Sequence, residues 1–129
     1  MTEEFVTLET AKLLKEKGFK EDVFTFYEAD CVEGDMILSE TYDESENSNE
    51  KNDCLSAPTQ SLAQKWLRET KNIHICVYNC ACGYGYEISK ADNGTHMASS
   101  VYKGTNDGEE WDSYEEALEA GLQEALKLI

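Results

Sequence analysis

The sequence predicts an α+β fold in which an antiparallel sheet of about five strands has two or three helices packed on one face. Two patterns lead to this class. Apolar side chains recur at helical spacing in three segments, and between those segments they alternate with polar side chains as in strands. With 129 residues the chain has room for one hydrophobic core, so we predict a single domain over residues 1–129.

The first predicted helix covers Thr7–Lys17. Thr7 can accept a hydrogen bond from a free amide of the first turn, and Gly18 is a typical residue to end a helix. A β-hairpin follows, with strands at Asp22–Asp30 and Met36–Tyr42 and a Glu-Gly-Asp turn between them. Together these segments form the first half of the predicted domain.

The segment Asp43–Asp53 contains no apolar residue. Its five acidic residues and one lysine leave a net charge of −4. Burial of apolar surface cannot offset the entropy of ordering such a segment. We therefore predict a mobile acidic loop at residues 43–57, inside the domain.

A second helix is predicted to begin at Pro58, where the missing amide of proline does no harm. Three alternating segments follow, separated by turn signals, and they predict a three-stranded meander. The strands are Ile73–Val77, Tyr86–Lys90 and His96–Tyr102, and the first turn is Asn79–Gly85. With the last helix, the C-terminal part has the order α-β-β-β-α.

The last helix, Ser113–Ile129, is the element that the sequence marks best. Ser113 and Glu116 form a capping box, and Lys127 complements the helix dipole in the last turn. The apolar stripe consists of Tyr114, Ala117, Leu118, Gly121, Leu122, Ala125, Leu126 and Ile129. A helix this one-sided must lie on another element, and we expect that element to be the sheet.

The net charge of −16 is the most unusual property of the composition. Such a surface repels nucleic-acid phosphates and anionic membranes, so we expect neither partner. It suits a cationic partner, or imitation of a phosphate backbone. The chain has no apolar run near the roughly 20 residues that a membrane span needs, and its acidic start lacks the features of a signal peptide. We expect a cytoplasmic protein with reduced thiols.

The candidate metal ligands are His74, Cys76, Cys80 and Cys82, in and beside the first turn of the meander. Zinc sites usually use two cysteines separated by two residues, whereas one or three residues separate these. Alternating positions of a strand lie roughly 7 Å apart, which is too far for two ligands of one ion without a bulge. We expect structural thiols here, with no metal and no cofactor.

A nucleophilic site would need a thiol, a base beside it and a group that orients the base. Cys76 with His74 or His96 supplies the first two. The sequence offers no third group, no nucleophile elbow and no glycine-rich phosphate loop. We predict that the protein is not an enzyme and has no catalytic residues.

Four segments together resemble a family of short, uncharacterised proteins encoded in phages and prophages of anaerobic gut bacteria. They are Val6–Phe19, Ala57–Glu69, Asn72–Ile75 and Tyr114–Ile129. The resemblance covers most of the chain except the acidic loop and the cysteine-rich hairpin. It implies a phage or prophage origin but no known activity and no site to transfer.

The α-β-β-β-α order is also similar to that of double-stranded RNA-binding domains. That family binds phosphates with lysines at the start of its last helix. Here the corresponding residues are Ser113, Tyr114, Glu115 and Glu116, whose charge would repel RNA. The likeness is therefore one of topology alone.

Three functions remain open from the sequence. The leading one is a non-enzymatic phage or prophage accessory protein that binds an unknown protein partner. The alternatives are an acidic nucleic-acid mimic that inhibits a host DNA-binding protein and a small metal-binding module that uses the cysteine-rich hairpin. The sheet face without helices carries tyrosines and cysteines, which leaves self-association as a homodimer open.

Overall fold

The computed structural model describes residues 4–29, 34–41 and 44–129. In these ranges it has three α-helices and two antiparallel sheets of three strands each, which confirms the α+β class. The chain divides into two compact units, Met1–Thr59 and Gln60–Ile129. The expected sheet of about five strands is thus replaced by two sheets. Hydrophobic alternation identifies strands but does not determine which strands pair.

The first unit contains one helix and three strands. They are α1 (Leu8–Glu16), β1 (Thr25–Ala29), β2 (Met36–Glu40) and β3 (Cys54–Ser56), with the strands in the order β2-β1-β3. The helix ends confirm the predicted caps. The Thr7 side chain accepts from the Thr10 amide, and Gly18 has a φ of 92°, which allows the Phe19 amide to bond back to Leu14 O at 2.9 Å.

Strand β1 lies in the middle of this sheet. It pairs with β2 from Thr25 opposite Glu40 to Ala29 opposite Met36, as the predicted hairpin requires. On its other side β1 pairs with β3, which the sequence analysis did not predict. The predicted ends of the hairpin at residues 30–33 and 42 lie outside the described residues.

The predicted acidic loop contains secondary structure that the sequence analysis did not assign. Besides β3, residues 48–50 form one turn of 3-10 helix. Asn49 holds this region: its Nδ2 donates to Phe19 O at 2.8 Å, and its Oδ1 accepts from the Ser56 amide at 2.8 Å. Our prediction considered apolar burial alone, whereas side-chain to backbone hydrogen bonds organise this segment.

The second unit has the predicted order α-β-β-β-α. Its elements are α2 (Gln60–Lys71), β4 (Ile73–Cys80), β5 (Gly83–Lys90), β6 (His96–Ser99) and α3 (Tyr114–Lys127). The predicted start of the second helix at Pro58 is wrong by two residues. Pro58 O accepts from the Val6 amide at 3.0 Å and Thr59 forms a bridge with Phe5, so both residues stay extended.

The predicted long turn at Asn79–Gly85 is also wrong. Strands β4 and β5 pair up to Cys80 opposite Gly83 and leave a turn of only two residues. Gly83 has a φ of 133° and lies against the backbone of Trp111, where a side chain would clash. The glycines here allow close approach within a continuous ladder, which a sequence pattern cannot distinguish from a loop.

Helices α2 and α3 pack on one face of the β4-β5-β6 sheet, as predicted. The sheet contributes the buried side chains Ile73, Ile75, Tyr86 and Ile88, and α3 contributes Ala117, Leu118, Leu122, Ala125 and Leu126. Tyr114 and Ile129, at the ends of the predicted stripe, are exposed. Tyr114 lies in the first turn of α3, where its ring still contacts that of Tyr84 on β5 with centres 6.3 Å apart, and Ile129 lies beyond the last residue of the helix.

None of the helices in the described ranges has the length and apolar composition to cross a membrane.

Candidate functional site

The cysteine-rich hairpin has its reactive groups spread along one ladder. Cys76 and Cys80 lie on β4, Cys82 lies in the turn, and all three thiols are exposed. His74 and His96 stand in one row on either side of Ser89. Two strand spacings separate their backbones by roughly 10 Å.

These candidates are therefore neighbours in the fold without a shared centre. Over residues 4–29, 34–41 and 44–129, no three His, Cys, Asp or Glu side chains are grouped to hold a metal ion. The fourth described thiol, Cys54, is buried in the first unit. Burial and the nearby Asp53 carboxylate raise its pKa, so Cys54 is a poor nucleophile.

A different feature is prominent in the first unit, at strand β2. Ile37 and Leu38 are adjacent, and 42% and 45% of their surfaces are exposed. Adjacent residues of a strand point to opposite faces, so β2 presents one large apolar side chain on each face. Phe24, which precedes β1 at the same end as Thr41, is 62% exposed. Edge strands of this kind are open to pairing with another chain unless charges or bulges protect them.

The outer side of β2 has free backbone groups. The Thr41 amide donates to Phe24 O at 2.7 Å, so Thr41 faces β1. Because backbone direction alternates along a strand, Ile37 and Ser39 also face β1. The N–H and C=O groups of Met36, Leu38 and Glu40 face outward, and no strand of the described chain pairs with them.

A cleft of about 450 Å³ lies at the end of β2. The described residues that line it are Phe26, Glu40, Thr41, Glu44, Ser45, Glu46 and Lys51. The volume is in the range of pockets that hold small ligands. Three acidic residues and one lysine give these described residues a formal net charge of −2.

The ammonium of Lys51 already occupies part of this cleft. Its Nζ lies 2.7 Å from Glu46 Oε1 and 5.9 Å from the centre of the Phe26 ring. The hydrogen bond and the charge of Glu46 raise the pKa of Lys51, so the lysine stays charged. The Lys51 ammonium therefore lies between a carboxylate and an aromatic ring, an arrangement that suits a bound cation.

This site was not predicted from the sequence, although one signal for the exposed strand was present. Ile37 and Leu38 break the alternation expected of a strand with one buried face, which indicates exposure of one of them. The acidic residues Glu44 and Glu46 were assigned to a loop. Their position beside Phe26 follows from the bridge between Val23 and Glu46, a contact that no local pattern reveals.

No protein-family model, curated protein or solved structure matches the chain. The phage resemblance therefore stays a prediction, and the geometry of β2 and its cleft is the basis for a functional proposal.

Proposed function

We propose that the chain is a non-enzymatic accessory protein of phage or prophage origin that binds a partner protein through the outer edge of β2. The observation behind this is the open edge: Met36, Leu38 and Glu40 direct backbone donors and acceptors outward beside two exposed apolar side chains. An extended segment of a partner can add to such an edge as a further strand. In this proposal the protein acts in the cytoplasm with reduced thiols.

The charge of the chain indicates which segment fits. The net charge is −16, and Glu40 and Glu44 lie at the end of the open edge. Opposite charges on two partners speed their association and help to fix the register in which they pair, whereas like charges oppose the association. An extended segment that contains lysine or arginine is therefore favoured over a second copy of this acidic chain.

The test uses the full chain and a fluorescein-labelled probe peptide in which threonine and valine alternate around one arginine. Fluorescence anisotropy measures its Kd. Leu38→Pro removes an outward amide, and we expect it to weaken binding about tenfold. Leu38→Ala keeps the amide and should weaken binding only about threefold through lost apolar contact.

A second control leaves the protein unchanged. The same probe with methylated backbone amides keeps its side chains but cannot form a ladder, and we expect its binding to be lost. Equal binding of both probes, or no binding of either, would contradict strand addition. The β2 edge could instead pair with the same edge of a second copy, and sedimentation of the free protein tests this. A dimer that Leu38→Pro dissociates would show that the edge serves self-association and would contradict the proposal.

A further inference from the structure

We infer that the cleft beside β2 is a receptor for an arginine side chain of the segment that pairs with β2, and that Lys51 is a built-in competitor for the same place. This inference rests on the proposed function and specifies its partner. The described residues around this place include Phe26, Thr41, Glu44, Glu46 and Lys51.

The chemistry of the lining favours a guanidinium group. Glu44 has no ion pair within the described part of the chain, so the cleft has acidic charge beyond the pair of Glu46 with Lys51. Glu40 is opposite Thr25 on β1, so its side chain points to the other face of the sheet from Phe26. A guanidinium is planar, donates in a fork that matches carboxylates and stacks on aromatic faces. Phe26 supplies such a face in this cleft.

Thr41 gives an independent indication of a missing ligand. Thr41 is one of the lining residues, and its Oγ1 is buried without a hydrogen-bond partner among the described residues. Buried polar atoms of folded proteins nearly always have a partner. A donor from a bound side chain, as arginine provides, would supply it.

Position connects the cleft to the open edge. Glu40 is the last residue of β2, and Thr41 follows it. An added strand would lie about 4.8 Å beyond β2 and about 10 Å from β1, which carries Phe26. Only a long side chain on the Phe26 face of the sheet could reach the cleft across β2. A residue of this kind near this end of the added strand therefore has its side chain at the cleft.

Lys51 is held weakly enough to leave. Its side chain is 52% exposed and that of Glu46 is 43% exposed, so water screens their ion pair. The structural role of residue 51 lies in its backbone, because Lys51 O accepts from Lys15 Nζ at 2.9 Å. Removal of the Lys51 side chain should therefore empty the cleft without loss of that contact.

The test compares three probe peptides that have arginine, lysine or glutamine at the central position and are otherwise identical. We expect the arginine probe to have the lowest Kd and the glutamine probe a Kd about fivefold higher. A difference of this size is what a partly exposed contact between a cation and an aromatic ring contributes. Glu44→Gln should weaken the arginine probe and leave the glutamine probe unchanged. Glu16→Gln, on α1, removes the same charge outside the cleft and should affect neither.

Lys51→Ala tests the competitor. We expect it to tighten the arginine probe about two- to fivefold, as loss of a surface ion pair allows. Lys12→Ala changes the net charge equally on α1 and should have a smaller effect. If both variants lower the Kd of the arginine probe equally, Lys51 acts only through the net charge of the protein. The inference that Lys51 competes for the cleft would then be wrong.

The outcomes separate this inference from the proposed function. If the probes bind alike and Leu38→Pro still weakens binding about tenfold, the edge binds a strand but the cleft is no arginine receptor. If Leu38→Pro has no effect, strand addition itself is wrong. Agmatine, which has a guanidinium group but no peptide backbone, is tested as a competitor of the arginine probe. If its inhibition constant equals the Kd of the probe, the cleft binds a free small cation, and the inference that it receives an arginine of a paired segment is wrong.

Discussion

Tyr86 shows how a single polar group is satisfied inside the core of the second unit. Its ring is buried against Trp111, with ring centres 5.6 Å apart. Its hydroxyl donates to one carboxylate oxygen of Glu124, and Lys103 Nζ binds the other at 2.6 Å. Burial, followed by the hydrogen bond to Glu124, raises the pKa of Tyr86 above its ordinary value of 10.0.

This arrangement predicts a pH dependence for Tyr86→Phe. At pH 7 the variant should lose about 1 kcal/mol of stability, because a buried hydrogen bond to a partly exposed carboxylate is removed. Above pH 10 the unfolded chain releases the tyrosine proton and the folded chain keeps it, so the wild type loses stability as pH rises. The gap between the two proteins should therefore narrow from pH 9 to pH 11.

Urea denaturation of both proteins across that range measures the gap. The titration of the lysines is common to both proteins and cancels in the difference. A constant gap would mean that Tyr86 ionises equally in the folded and unfolded chains.

Among the helices and strands, the features predicted correctly are those that depend on residues close together in the sequence, such as helix caps. Thr7 and Ser113 cap their helices as expected, with the Ser113 side chain accepting from the Glu116 amide. Strand pairing depends on contacts distant in sequence, such as that of β1 with β3, and was missed. The cleft was missed for the same reason, since it joins residues of β1 with residues of the acidic segment.

Gly121 marks the closest approach of α3 to its sheet. A methyl group there would lie 3.0 Å from Ile75 Cγ2 and 3.2 Å from Tyr86 Cγ. Neither neighbour can move easily, because Ile75 is branched and fully packed and Tyr86 is held by Glu124. The sequence placed Gly121 in the apolar stripe without indicating this contact.

Gly121→Ala should therefore destabilise the protein in spite of the better helix propensity of alanine. The propensity gain is about 1 kcal/mol, and overpacking a filled core costs about 1–3 kcal/mol. We expect a net loss of about 1 kcal/mol in urea denaturation. In an Ile75→Ala background the methyl group has room, and the same substitution should become neutral or stabilising. A loss of equal size in both backgrounds would contradict the packing argument.

At the scale of the whole molecule, the number of independently folding parts is open to a direct test. We predicted one domain from length, and the contacts divide the chain into the units Met1–Thr59 and Gln60–Ile129. Each unit has its own sheet, and the proposed binding edge belongs entirely to the first. The predicted homodimer through the helix-free sheet face would use the second. The proposed partner binding and the predicted self-association would thus use different units.

The division predicts that residues 60–129 fold alone. This segment contains both helices that cover its sheet, together with the buried side chains of that sheet, so we expect its core to form without residues 1–59. Circular dichroism of the fragment should show mixed helix and strand and a cooperative urea transition. Leu122→Ala in the fragment should cost about 2–5 kcal/mol, as truncation in a packed core does, whereas Glu116→Gln on the exposed surface of α3 should cost little. A fragment with a coil spectrum, or one in which Leu122→Ala has no effect, would show that residues 1–59 are needed for this core and would favour the single domain predicted from length.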